Sequence, residues 1–296
     1  MASTLERLGP GSRVSILRLR SLGDCVLTTP AIAILKAARP DLRLSIVVES
    51  RFAAIFAGNP DLERVVVPDL TAAWGSELCL NLHGGSRSMG MVAASMARFR
   101  AGFAHHAGAW LYNVPVPRAQ QILGEERTVH TAEHLASAMF HLGCPRGEIP
   151  RARLYAGPWT EAPKSYFVMH PFASTPQKQW PAERFVEAAR SVELEPVVIG
   201  APGDDFSPFQ AFRCVAGPLE QTKQVLSGAK LFLGNDSGPA HMAAAFGVPV
   251  VVLYGSSDPV VWAPWRTRAE IFTGLQETSV AQVVAALHRL QQAVNA

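Results

Sequence analysis

Short apolar runs rich in β-branched residues alternate with helix-patterned stretches along most of this chain, and no other feature constrains the fold as tightly. The first series of runs falls at 14–17, 44–48, 65–67 and 78–82, with a helix reaching to about 38 after the first run. A second series falls at 167–169, 196–199, 230–233 and 248–253, with helices expected from about 182, over 239–246 and over 279–293. Strands separated by helices pair through crossovers, which build a parallel sheet with helices on its faces. Between the two series, the stretch 143–164, GCPRGEIPRARLYAGPWTEAPK, carries four prolines and three glycines and reads as a linker. A chain of 296 residues suits two domains better than one. The expectation is an α/β protein with two Rossmann-like doubly wound domains, 1–155 and 165–296, facing across a cleft. The last helix either completes the second domain or packs back on the first.

Composition narrows the classes. Hydrophobic residues make up 48% and charged residues 17%, the balance of a folded chain. The longest apolar runs, such as 248–253, fall far short of the roughly 20 residues that span a bilayer. The first residues lack the basic, apolar and small-residue succession of a secretory signal. Cys25, Cys79, Cys144 and Cys214 are scattered with no C-x-x-C pair, which suits a reducing compartment and small core residues. The cytoplasm is the expected location. The net charge of +3 is uneven: residues 1–160 carry 17 basic against 12 acidic side chains, and residues 161–296 carry 10 against 12. A basic first half favours an anionic acceptor or the anionic face of a membrane, and no run of like charge is dense enough to mark a nucleic-acid surface.

In open parallel sheets, ligands bind beyond the carboxyl ends of the strands, where loops enter helix N-termini. One such turn is Asn235, Asp236, Ser237, Gly238, set between a buried run and the alanine-rich helix PAHMAAAF. Free N–H groups there, with Gly238 allowing close approach and the Ser237 hydroxyl adding a donor, suit a phosphate or pyrophosphate. Asp236 cannot attract phosphate; it either caps the helix or meets a ligand hydroxyl. His241, one turn on, either donates to a phosphate or packs. In the first half, the turn Arg20, Ser21, Leu22, Gly23, Asp24 follows the first strand. Asp24 is there either a helix cap or a base able to take a proton from a substrate hydroxyl. A third loop, HPFASTPQKQWPAERF at 170–185, presents Ser174, Thr175, Gln177 and Lys178, with the lysine placed to neutralise phosphate.

Absences also inform. The chain has no G-x-x-x-x-G-K-[ST], no G-x-S-x-G and no H-E-x-x-H, and its first glycines precede the first strand. Ser237 and His241 on one helical turn do not make a hydrolase site. His130 and His134 stand at metal-ligand spacing, but a third ligand is not evident, and no D-x-D is present to hold a metal-bound diphosphate.

Taken together, ILRLRSLGDCVLTTPAIAILKAARPDLRLSIVVE, HPFASTPQKQWPAERF and GNDSGPAHMAAAFGVPVVVLYGSSDP resemble glycosyltransferase family 9, the ADP-heptose:lipopolysaccharide heptosyltransferases. The resemblance implies a GT-B fold with the donor held by the C-terminal domain. It further implies inverting, metal-independent transfer of heptose from an ADP-sugar to a lipopolysaccharide core acceptor, with no cofactor beyond the donor. By the same resemblance Asp24 is the general base and Lys178 contacts donor phosphate. Ser174, Asp236, Ser237, Gly238 and His241 surround the diphosphate and sugar, and Asp204 or Asp205 lies near the adenosine ribose. Arg20, Ser21, Gly23 and Arg87 fall on the acceptor side. The implied partners are a nucleotide sugar and an anionic glycolipid or saccharide, with peripheral contact at the cytoplasmic face of the inner membrane. Two rival classes fit the same scaffold: a noncatalytic nucleotide or sugar-phosphate binding protein, which has no use for Asp24, and a nucleotide-sugar epimerase, which acts on the donor alone.

Overall fold

The computed structural model describes residues 2–173 and 175–295, and the chain divides into two compact units, Met1–Pro150 and Arg151–Ala296. The first unit contains β1 (Arg13–Leu17), α1 (Leu22–Ala38), β2 (Arg43–Val47), β3 (Arg64–Val66), β4 (Leu78–Asn81), α2 (Ser86–Ala94), β5 (Phe99–Phe103), β6 (Val114–Val116), α3 (Ala119–Leu123) and α4 (Thr131–Leu142). Its sheet runs β3-β2-β1-β4-β5-β6 with every pair parallel. Because Leu17 is in register with both Val47 and Asn81, the loops that follow β1 and β4 leave the sheet at one level.

The second unit contains β7 (Tyr166–His170), α5 (Ala182–Arg190), β8 (Glu195–Gly200), β9 (Arg213–Ala216), α6 (Leu219–Ser227), β10 (Phe232–Asn235), α7 (Gly238–Phe246), β11 (Val250–Tyr254), α8 (Pro259–Trp262), β12 (Ala269–Thr273) and α9 (Val280–Asn295). Its sheet, β12-β11-β10-β7-β8-β9, is also parallel throughout and repeats the order of the first when counted from its own first strand. Each unit is thus Rossmann-like, and the pair is the composition of a GT-B fold.

Local physics explains the elements. β11 reads VVVLY and is buried along its whole length, as a strand covered on both faces must be. α1 continues through Pro30, whose missing N–H would orphan the Val26 carbonyl; the Thr29 hydroxyl donates to that carbonyl at 2.8 Å instead. On α9, Val283, Ala286, Leu287 and Leu290 recur at helical spacing and pack into the second unit's core with Phe185, Ala188 and Ala189 of α5. The last helix therefore packs on its own unit. No helix or strand occurs among the described residues between Leu142 and Tyr166.

Candidate functional site

In each sheet the strand order reverses beside the unit's first strand, between β1 and β4 and between β7 and β10, and loops diverging from such a point leave a crevice. In the second unit the loops are 171–181 and 236–238. Asn235, fully buried at the end of β10, ties them together: its Oδ1 accepts from Trp180 N at 3.0 Å and its Nδ2 donates to the Pro171 carbonyl at 2.7 Å. Trp180 is anchored in turn, its indole N–H donating to the Thr278 carbonyl at 3.1 Å. The loop between these pins lies against the glycine that follows β11. A Cβ on Gly255 would stand 2.8 Å from the Gln177 carbonyl oxygen, so the close approach requires glycine. Held this way, Lys178 Nζ donates to Ser257 Oγ at 3.0 Å.

At the start of α7, Ser237 is the N-cap residue, yet its side chain does not cap; its Oγ lies 3.1 Å from His170 Nδ1. His170 is half-buried, and desolvation pushes its imidazole down to about 4, so it is neutral at neutral pH. Asp236 spends its backbone N–H on the Leu253 carbonyl at 2.9 Å, while its carboxylate has no hydrogen-bond or ion-pair partner among the described residues. The capping role open to Asp236 in the sequence is thus not realised: the N-cap position falls to Ser237, and no side chain caps the helix. Pro239 brings no N–H, and Ala240 N–H is directed to the Ser237 carbonyl at 3.1 Å, leaving Ser237 and Gly238 to supply the donors at this end. His241 is buried one turn along α7. Ser174 lies outside the described residues.

After β8, Asp204 Oδ2 accepts from Ala201 N at 2.6 Å and Asp205 Oδ1 from Ser207 N at 2.9 Å. Both carboxylates therefore shape the 201–207 turn, and the Ser207 hydroxyl and amide hold Asp205 below the usual carboxylate range. A cavity of ≈ 720 Å³ with Arg151, Lys230, Arg266 and Arg268 in its wall opens at the opposite, amino-terminal edge of this sheet and includes none of these residues.

In the first unit the loop after β1 turns into α1 through Ser21, and the Arg20–Ser21 peptide is cis. Asp24 Oδ2 accepts from Ser21 Oγ at 2.9 Å and from Ser21 N at 3.3 Å, and Oδ1 accepts from Arg18 Nη1 at 3.3 Å. The cap reading of Asp24 is therefore realised, with one oxygen spent on the cap and the other facing a buried arginine. Gly23 lies within the first turn of α1. Arg20 is exposed and its guanidinium has no partner among the described residues. Arg87 donates to the Pro68 carbonyl at 3.0 Å and lies 3.8 Å from Glu49, so it ties α2 to neighbouring loops.

A group of histidines around this turn has roles that the sequence did not suggest. His83 follows β4, and burial, then the charges of Arg18 and Arg20, holds it below the usual histidine value. His134 stacks on Phe103 with centroids 3.9 Å apart, and His106 Nδ1 lies 2.9 Å from the Tyr112 hydroxyl; burial pushes both imidazoles down to about 4. His130 is the N-cap of α4, its Nδ1 accepting from Ala132 N at 3.0 Å, so it does not pair with His134 as the i, i+4 spacing allowed. Among the described residues no three His, Cys, Asp or Glu side chains are grouped to hold a metal ion.

Comparison with known proteins bears on the family and the fold. The chain is 24% identical over 295 residues to lipopolysaccharide heptosyltransferase 3 of Escherichia coli, covering 84% of this chain and 85% of that one. Among solved structures it resembles a family 9 glycosyl transferase from Veillonella parvula (TM-score 0.84, 20% identity, 95% of this chain and 97% of that chain). It also resembles E. coli heptosyltransferase WaaC with ADP (TM-score 0.79, 18% identity, 94% of this chain and 99% of that chain). The profile of glycosyltransferase family 9 (heptosyltransferase) matches residues 75–288, well over half of the sequence, and the chain belongs to that family.

Proposed function

We propose that the protein is an inverting, metal-independent glycosyltransferase that moves a heptose from an ADP-sugar to an anionic lipopolysaccharide-core acceptor. The observation that carries this reading is the Asp236 carboxylate, without a partner among the described residues, beside the Ser237 and Gly238 N–H groups and on the same sheet edge as Lys178. A carboxylate for a sugar hydroxyl, and amides and an ammonium for a diphosphate, are the groups a nucleotide sugar needs. The neighbour WaaC is described with ADP, and relatives named lipopolysaccharide heptosyltransferases support the choice of donor and acceptor.

In this reading Asp24 takes the proton of an acceptor hydroxyl as its oxygen attacks the anomeric carbon, and ADP departs from the opposite face, inverting the centre. Negative charge grows on the departing diphosphate, so fixed donors there act most strongly in the transition state. Lys178 and the α7 terminus supply them. No helix among the described residues is long and apolar enough to cross a membrane, and the proposed place is the cytoplasmic face of the inner membrane, in peripheral contact.

The test is incubation with ADP-heptose and a core acceptor in EDTA, following ADP release and the anomeric configuration of the product. Inverted product with undiminished rate in chelator is expected. Donor altered without acceptor would make the protein an epimerase, and tight ADP binding with no turnover of any sugar would make it a binding protein.

A further inference from the structure

Arg18 is a costly residue to place where it stands. It is 7% exposed at the end of β1, its one side-chain hydrogen bond among the described residues goes to Asp24 Oδ1, and its Nε is buried with no partner. An arginine kept for stability has its planar fork saturated, because buried N–H groups left unmet oppose folding. Here one arm of the fork meets Asp24 and another meets nothing. On the neighbouring loop, His83 Nδ1 is likewise buried without a partner.

The charged and titratable groups around Asp24 come from every element packed on it. Arg18 and Arg20 come from the loop after β1, Glu49 from the end of β2, His83 from the loop after β4, His134 from α4 and Cys25 from α1 itself. The histidines are held low and the buried Cys25 thiol is pushed up to about 12, so these three are neutral at neutral pH. Arg20 is exposed and screened by water. Arg18 is the cation in contact with the carboxylate.

We infer that Arg18 is the positioning residue of the general base: its guanidinium aims Asp24 Oδ1 and supplies the charge against which that carboxylate works. The inference rests on the proposed role of Asp24. With Ser21 holding Oδ2 and Arg18 holding Oδ1, the carboxylate has neither rotational freedom nor a second cation to replace the first.

The experiment compares Arg18→Met, Arg18→Lys and Asp24→Asn in the full chain. The readouts are kcat and KM, measured separately, with ADP-heptose and a core acceptor, ADP affinity by calorimetry, and a thermal melt. Arg18→Met is expected to lower kcat roughly 10- to 100-fold through misplacement of the base. KM and ADP affinity should be unchanged, because the donor site is untouched. Arg18→Lys keeps the charge without the fork, so its kcat lies between that of Arg18→Met and that of the unmodified chain. A loss of kcat equal in both arginine variants, or one accompanied by weakened ADP binding, would mark a structural residue and overturn the inference; so would a wild-type kcat in Arg18→Met beside an inactive Asp24→Asn. Asp24→Asn at the wild-type rate would instead remove the base and with it any positioning. Should Arg18→Met fail to melt cooperatively, Arg18→Lys decides alone: reduced kcat with KM and ADP affinity unchanged supports the inference, and an unchanged kcat overturns it.

Discussion

Asp24 has a structural role in the cap of α1, and the proposed mechanism gives the same carboxylate a chemical one. Its Oδ2 completes the cap of α1 through Ser21, so Asp24→Ala, which removes the acceptor, should cost about 0.5–2 kcal/mol of stability, measured by urea unfolding. If it is also the base, turnover should fall on the order of 100- to 10,000-fold while ADP affinity stays unchanged. A variant with the stability loss and a wild-type rate would leave Asp24 as a cap only. Lys178 makes a complementary case: its ammonium is held by Ser257, not by a carboxylate, and so keeps its charge available. Lys178→Met should raise the ADP dissociation constant by about tenfold or more, roughly the 1.4 kcal/mol of one charge-assisted contact. Calorimetry showing unchanged ADP affinity would place the diphosphate elsewhere. Asp204 and Asp205 lie at the opposite extreme, each engaged by its own turn.

The loop that carries Lys178 is an element without regular structure, and its rigidity comes from what it is tied to. Asn235 bridges it at both ends from inside β10, and Gly255 lets it settle against the neighbouring strand's exit. Asn235→Ala would leave Trp180 N–H and the Pro171 carbonyl without partners in the interior, at about 1–3 kcal/mol for each group. A lower urea midpoint and weaker ADP binding are expected together; loss of stability with ADP affinity intact would show that the loop does not position Lys178. The alternation of runs in the sequence revealed β1, β2, β3, β4, β7, β8, β10 and β11 because they are short continuous apolar stretches. It did not reveal β5, β6, β9 and β12. In β5 the apolar run is broken by Arg100, whose guanidinium is satisfied by the Leu111 and Ala97 carbonyls. β6 and β9 are edge strands of three and four residues, and β12 alternates half-exposed positions, so none of them carries a long hydrophobic signal.

At the scale of the whole molecule, both units hold half-buried, neutral histidines, and these groups set how the protein responds to acid. His106, His134 and His170 titrate at about 4 in the folded chain, below the ordinary histidine value of 6.5. The unfolded chain takes up protons at these positions as pH falls through about 6.5, while the folded chain does not until near 4. The unfolded state thus binds more protons in that window, and stability must fall as pH falls. Urea midpoints measured from pH 7 to pH 5 should decline before the carboxylates contribute, and His134→Gln together with His170→Gln should flatten the decline. A flat profile in the unmodified chain would mean that these imidazoles are open to water.

Chain order alone determined two parallel α/β units, since runs of strand separated by helices have no other economical way to pair, and it located Asp24, Lys178 and the 235–238 turn at strand exits. Tertiary structure decided which roles those side chains can take. Whether Asp236 caps a helix or waits for a hydroxyl depends on the direction of its side chain relative to α7, and whether Asp24 meets a cation depends on Arg18 being folded under the same turn. Such facts are differences of a few ångströms between groups whose spacing in the sequence is compatible with either outcome, so only packing could choose between them.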